Sequence, residues 1–441
     1  MADPGVVSTG KRARRGPRPA AEHGHSHGHG HGAGDGDAAP ATHRARIVLA
    51  ALTGLLLLAT LVGMILLWPA QGTQVESSEF LAPGVEIVPA TVAEIGESTG
   101  ESVDAEELAL IEAVGRAAPF DGETLSVEVP PAIAADGIHE GDRIRVLSVA
   151  EGGAASPGQP QLMYYLDHDR TLPLGVLLAA YLALVALVAR GSGLRAMAGL
   201  AAGVAIVLWF MLPAIFAGEN AVLVALVAAS AMIFPCVYFA HGVSVRTTTA
   251  VLGTFGGIAV TVLIALAAGR PTGMTGADGD AAQVLFSAHP HLSLSTVFLA
   301  GVIISGLGAL NDVTITQASS AWELRAAMPT ASRLQVFTAT MRIGRDHIAS
   351  TVYTLAYAYI GSALPLLMYA STVNRSLIDT ITSGEIAAEI FRTLVASIGL
   401  VLAIPLTTAI AAALATRPDS AGSRHATGSR RRKLEERLAR Y

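Results

Sequence analysis

Eight apolar runs decide what this chain can fold into. The first, Ile47 to Leu67, holds 21 residues without a charge, enough for one helix to cross a hydrocarbon core. Seven more follow from Leu172 onward, at 172–189, 195–216, 220–240, 247–268, 296–317, 348–371 and 391–415. A soluble core cannot absorb that much apolar surface, whereas a bilayer can. The mean hydropathy of +0.51 agrees. So does a charged fraction of 15%, against roughly 25% in an ordinary soluble domain. The sequence therefore predicts an all-α polytopic membrane bundle of about eight transmembrane helices.

Residues 70–170 interrupt this pattern. They carry 19 Asp and Glu against four Arg and no Lys. Strand-like stretches at Val85–Val92, Thr124–Val129, Arg143–Val149 and Gln161–Leu166 alternate with turn signals such as Gly141-Asp142. Val103–Ala117 has the spacing of a short amphipathic helix. A small β-rich domain, barrel or sandwich, is expected.

The organisation then reads as follows. Residues 1–46 form a His- and Arg-rich tail too poor in apolar residues to build a core. Residues 47–67 are an anchor; the run exceeds a signal-peptide core and 46 residues precede it, so no cleavage is expected. After the acidic domain at 70–170 come a seven-helix bundle at 172–415 and a basic tail at 416–441. Arginines fall in alternate loops: Arg190 and Arg195, Arg246, then Arg325, Arg333, Arg342 and Arg345, and the run Arg430 to Lys433 in the tail. This bias places both termini in the cytoplasm and the acidic domain outside.

Few residues carry chemistry. One cysteine, Cys236, excludes an internal disulfide and a Cys-based zinc site. No Walker A, HExxH or GxSxG sequence occurs, so nothing supports an enzyme. His23, His25, His27, His29 and His31 alternate with Gly and Ser, a flexible tract able to gather several imidazoles on one divalent metal; no motif requires a cofactor. His289 and His291 are a weaker pair of the same kind.

Gly301, Ser305, Gly308, Asp312, Thr316, Ser319 and Glu323 follow steps of three and four, one helix face. A carboxylate at Asp312, in or near a span, is expensive and turns to a bundle interior or water. Asn311, Thr314 and Gln317 lie beside it. A second group, Arg342, Arg345, Asp346 and His347, opens another run and continues into Thr351 and Thr354. Together these residues suggest a polar path with a gate at one end, or alternatively a set of packing locks. The ~30-residue segment between them is expected to lie on the inner membrane surface. Gly199/Gly203 and Gly253/Gly257 have the spacing of helix-packing sites.

Four blocks in order carry a family resemblance: PAIFAGEN (213–220), YFAHGVSVRTTTAVLGT (238–254), GLGALNDVTITQASSAWELRAAMP (306–329) and MRIGRDHIASTVYTLAYAYIGSALPLL (341–367). Over 172–415 the chain resembles the YibE/F-like membrane proteins. The resemblance implies a multi-spanning protein of a bacterial cell membrane and marks Asp312, Gln317, Glu323, Arg342, Arg345, Asp346 and His347 as motif positions. At 311, where the family often has an acidic residue, this chain has Asn311. It implies no substrate. Two functional readings follow: a permease or exporter of a small solute or cation with its path at Asp312 and His347, or a membrane scaffold that binds a partner through the acidic domain. A second copy of the chain is a further candidate partner; nothing points to nucleic acid.

Overall fold

The computed structural model describes residues 43–69, 85–95, 108–150, 161–373 and 375–415. The His tract lies outside them. Helix α1 (His43–Leu66) covers the first apolar run. Five strands follow: β1 (Val85–Ile95), β2 (Ala109–Gly115), β3 (Thr124–Val129), β4 (Arg143–Ala150) and β5 (Gln161–His168), with the short helix α2 (Pro131–Asp136) between β3 and β4.

The strands close into a barrel in the order β1-β2-β3-β5-β4. All neighbours are antiparallel except β3 and β5, which are parallel. This order, with a helix between the third and fourth strands, is that of the OB barrel. Alternation explains the inside: Val88, Ala90, Val92, Ile111, Ala113, Val127, Val129, Ile144 and Val146 are all at most 3% exposed, every second residue of its strand. Phe120 and Ile138 complete this core. All four expected strands start where the sequence places them, and Gly141 makes its turn at φ +89°.

The helix that the spacing at Val103–Ala117 allows does not form over its described part, which is mostly β2. Ile111, Ala113 and Gly115 are buried and Glu112 is exposed, a period of two. In a seven-residue stretch this period is easily mistaken for a helical one.

The bundle begins with α3 (Thr171–Ile206), a π-helical turn at Val207–Met211 and α4 (Leu212–Phe216). Pro213 lacks the N–H that an α-helix would pair here, which suits the local π register. Arg190 interrupts α3 at φ 52°, ψ −140°. Its two arms turn back there, because a Cβ on Gly193 would lie 2.7 Å from side-chain atoms of both Val185 and Ala189. Val185 and Gly193 would be about 12 Å apart along a straight helix.

Next come α5 (Ala221–His241), α6 (Val245–Gly269), α7 (Asp280–Ala288), α8 (Leu294–Ser305), α9 (Leu307–Ala327), α10 (Arg333–Ser362), α11 (Leu364–Thr372), α12 (Leu377–Ile381) and α13 (Gly384–Leu414). Asn220 caps α5, its side chain accepting from the N–H groups of Val222 and Leu223 at 3.1 and 3.2 Å. Replacing Asn220 with Ala costs about 1 kcal/mol, a fall readable in the thermal midpoint of the purified chain.

Among the described residues, six helical segments are long and apolar enough to cross a membrane, or seven if α10 and α11, bent by 60°, count as one. Pro365 stands at the bend. Several helices overrun the apolar runs. The segment between the two polar groups forms the end of α9, a turn and the start of α10. Ser332 and Gln335 form a capping box there, and buried Arg325 donates to the Ala331 carbonyl at 2.7 Å, tying the turn.

Helices α5, α6, α8, α9 and α13 make the centre of the bundle. Both expected glycine pairs are close-approach points. A Cβ at Gly199 would lie 2.8 Å from Pro235 O, and one at Gly253 would lie 2.1 Å from Thr407 Oγ1.

Candidate functional site

The residues chosen from sequence divide between two faces of α9. Leu310, Thr314, Gln317, Ala321 and Arg325 are buried, whereas Gly308, Asp312 and Glu323 are exposed and Thr316 and Ser319 are half-buried. Five residues separate Asp312 from Gln317, about 140° around a helix of 3.6 residues per turn. They therefore cannot share a face.

On the buried face, four helices meet in a polar core. Thr254 and Thr314, neither exposed at all, join hydroxyl to hydroxyl at 2.7 Å. Gln317 is also fully buried. Its Oε1 accepts from Thr408 Oγ1 at 3.0 Å, and the same hydroxyl is 2.7 Å from the Ile404 carbonyl. A hydroxyl has one proton, so it serves these two acceptors alternately. Gly344 makes room for the amide: a Cβ there would lie 3.0 Å from Gln317 Nε2. Gln317 Nε2, Thr407 Oγ1 and Asn311 Oδ1 have no hydrogen-bond partner among the described residues.

On the other face, Asp312 opens outward. Thr316 Oγ1 donates to the Asp312 carbonyl at 2.8 Å, so its proton is spent on its own helix. His241, at the end of α5, lies within electrostatic reach of Asp312. Glu323 is 3.9 Å from Arg246, with side chains 73% and 36% exposed; such a pair is worth under about 1 kcal/mol.

Arg342, Arg345 and Asp346 on α10 are exposed, and His347 and Thr351 are half-buried. Thr351 Oγ1 donates to the His347 carbonyl at 2.8 Å. Among the described residues no ion pair joins Arg342, Arg345, Asp346 or His347 to Asp312.

Three polar features escaped the sequence reading. Thr254, Thr407 and Thr408 read as ordinary threonines in apolar runs; the adjacent pair after Pro405 was the available signal. Glu389 and Arg392, one turn apart on α13, pair at 2.7 Å with the guanidinium 5.7 Å from the Phe298 ring centre. Glu389 lies outside the apolar run because α13 starts at Gly384, seven residues before it, and Arg392 stands in the first turn of that run. A cavity of about 290 Å³ is lined by Asp278, Arg375 and Glu385 with Tyr369, Thr380 and Ser383. None of the residues selected from sequence lines it.

His289 and His291 do not converge on a metal. Their rings are edge to face with centres 5.9 Å apart, and His291 Nε2 sits 3.1 Å from the Phe216 carbonyl. Among the described residues no group of three His, Cys, Asp or Glu is arranged to hold an ion.

The joint between barrel and α3 is strongly charged. Asp167 pairs with Arg170, whose hydrogen bond holds its carboxyl below the ordinary range. Thr171, donating from both hydroxyl and N–H, does the same for Asp169. A carboxylate depressed in the fold stabilises it above the unfolded value of about 3.9 and loses that contribution as pH falls through the folded value. Thermal stability of the full chain should therefore fall as pH drops below about 4. The Asp167→Asn, Asp169→Asn double variant should show a shallower fall; equal slopes would remove the joint as the cause.

No curated protein and no solved structure matches the chain. A family model described as YibE/F-like protein matches residues 177–417, from α3 through the end of α13 and including every polar group on α9 and α10 described above. The chain belongs to the YibE/F-like family.

Proposed function

We propose that this chain is a multi-spanning membrane permease or exporter for a small solute or cation, with its polar path along the face formed by α9 and α10. The observation that carries this reading is Asp312. It stands among apolar residues of a membrane-length segment, yet on an open face with Thr316, Ser319 and Glu323 rather than in the packed core. A carboxylate at such depth costs at least ~2.5 kcal/mol against lipid, so it needs water, a cation or a polar partner. His347, Ser350 and Thr354 on α10 extend the polar surface.

In this reading α3 crosses twice, turning at Arg190, and α10 with α11 makes one broken pass. Eight passes result, with both termini in the cytoplasm by the arginine bias and the barrel outside. Broken helices mark binding regions in many transporters. Here α11 lines the cavity holding Asp278 and Glu385, which serves as the mouth for cations. The His tract would buffer divalent metal on the cytoplasmic side; deleting residues 1–46 should change metal dependence and leave flux.

A second reading, a scaffold acting through the barrel, is favoured by Gln317: this motif residue is sealed in packing and meets no path. Purified chain in proteoliposomes, assayed for proton and divalent-cation flux beside Asp312→Asn, separates the two. Flux lost in a normally folded variant supports transport. Equal flux in both sinks the assigned path, and no flux in either favours the scaffold.

A further inference from the structure

We propose that two copies of this chain pair through the α9–α10 face, with Asp312 of each copy opposite His347 and Ser350 of the other. The proposal stands whether or not the face conducts.

Depth carries the argument. Gln317 lies against Gly344, which sets the register of the antiparallel pair α9 and α10. Counting about 1.5 Å per residue from that contact, Asp312 lies about 7.5 Å toward the Asn220 end of the bundle, His347 about 4.5 Å and Ser350 about 9 Å in the same direction. A two-fold axis along the membrane normal keeps each residue at its depth. It therefore brings a carboxylate level with an imidazole and a hydroxyl, twice over.

Within one chain these groups stand outside the packed core. Asp312 and Ser350 are exposed and His347 half-buried. An intramembrane carboxylate on an outer face must meet protein or water rather than lipid. The surface also admits a close neighbour: a Cβ at Gly301, Gly308 or Gly361 would meet nothing within 4 Å, and helices in lipid approach through such residues. Because one face holds both halves of the pair at one depth, it is complementary to itself. That singles out a second copy over an unrelated partner.

The test uses the full chain with Cys236→Ala, expressed as two differently tagged copies in native membranes. One carries Gly308→Cys and the other Thr354→Cys, about 13.5 and 15 Å from the reference contact. Oxidation should give a mixed disulfide at twice the 45.3 kDa chain mass. A control pair, Leu187→Cys with Leu263→Cys, on exposed apolar positions of α3 and α6, should give at least tenfold less. Adding Asp312→Asn and His347→Ala to inserted, folded chains should reduce the Gly308–Thr354 product severalfold. The idea is overturned by a product no greater than the control, by a product containing another protein, or by a monomeric mass in nanodiscs.

Discussion

Gly253→Ala is expected to destabilise the bundle by about 2 kcal/mol, within the range for overpacking a tight core. Removing the Thr407 hydroxyl and methyl as well should restore part of the loss. The contact between α6 and α13 leaves no space: the new Cβ would lie 2.1 Å from Thr407 Oγ1 and 2.9 Å from both Thr407 Cβ and Cγ2. Something must move, and both helices are held elsewhere. A Cβ on Gly257 would lie 2.7 Å from Leu310 and 2.9 Å from Ala403, and one on Gly399 would lie 2.0 Å from Thr261 Oγ1. Thr407→Ala by itself should be nearly neutral, because its buried hydroxyl has no partner and deletion removes that penalty. The two changes should thus couple with a favourable sign in a double-mutant cycle, measured by chemical unfolding in detergent. Simple additivity would mean that the helices separate at no cost, contrary to the packing described here.

The same contact shows what sequence made legible. Gly253 and Gly257 stand out by spacing, and their role needs no knowledge of the partner. That the partner is α13, four hundred residues into the chain, is written in no local pattern. The apolar runs were readable because a bilayer demands length and composition, but their ends were not: α9 continues to Ala327 and α13 begins at Gly384. Polar turns of helix beyond a run are stabilised by caps and tertiary contacts, such as the Ser332–Gln335 box, rather than by hydropathy. The barrel followed the same logic. Thr124–Val129 was read to the residue, whereas the parallel pairing of β3 with β5 joins segments that no periodicity connects. For the site, charge in a costly place pointed to Asp312, but neighbourhood in sequence wrongly grouped it with Gln317, which faces the other way.

That division predicts opposite outcomes for two conservative changes. Asp312→Asn keeps shape and removes only the capacity to carry charge or a proton. If the α9–α10 face is the path, cation or proton flux should fall at least tenfold, equivalent to about 1.4 kcal/mol in the barrier. Abundance should stay at wild-type level, because Asp312 supports no packed contact within its own chain. Asp312→Glu should recover part of the flux. Gln317→Leu should do the reverse: flux persists, while stability is unchanged or raised, since the substitution buries an apolar group where Nε2 now lacks a partner. Thr408 keeps its bond to the Ile404 carbonyl in that variant, so no new orphan is created. If both variants lose flux at normal stability, the two faces of α9 act together and the path must enter the core. If Asp312→Asn instead fails to accumulate, the carboxylate is a structural group, and the open face owes its polarity to assembly rather than to transport.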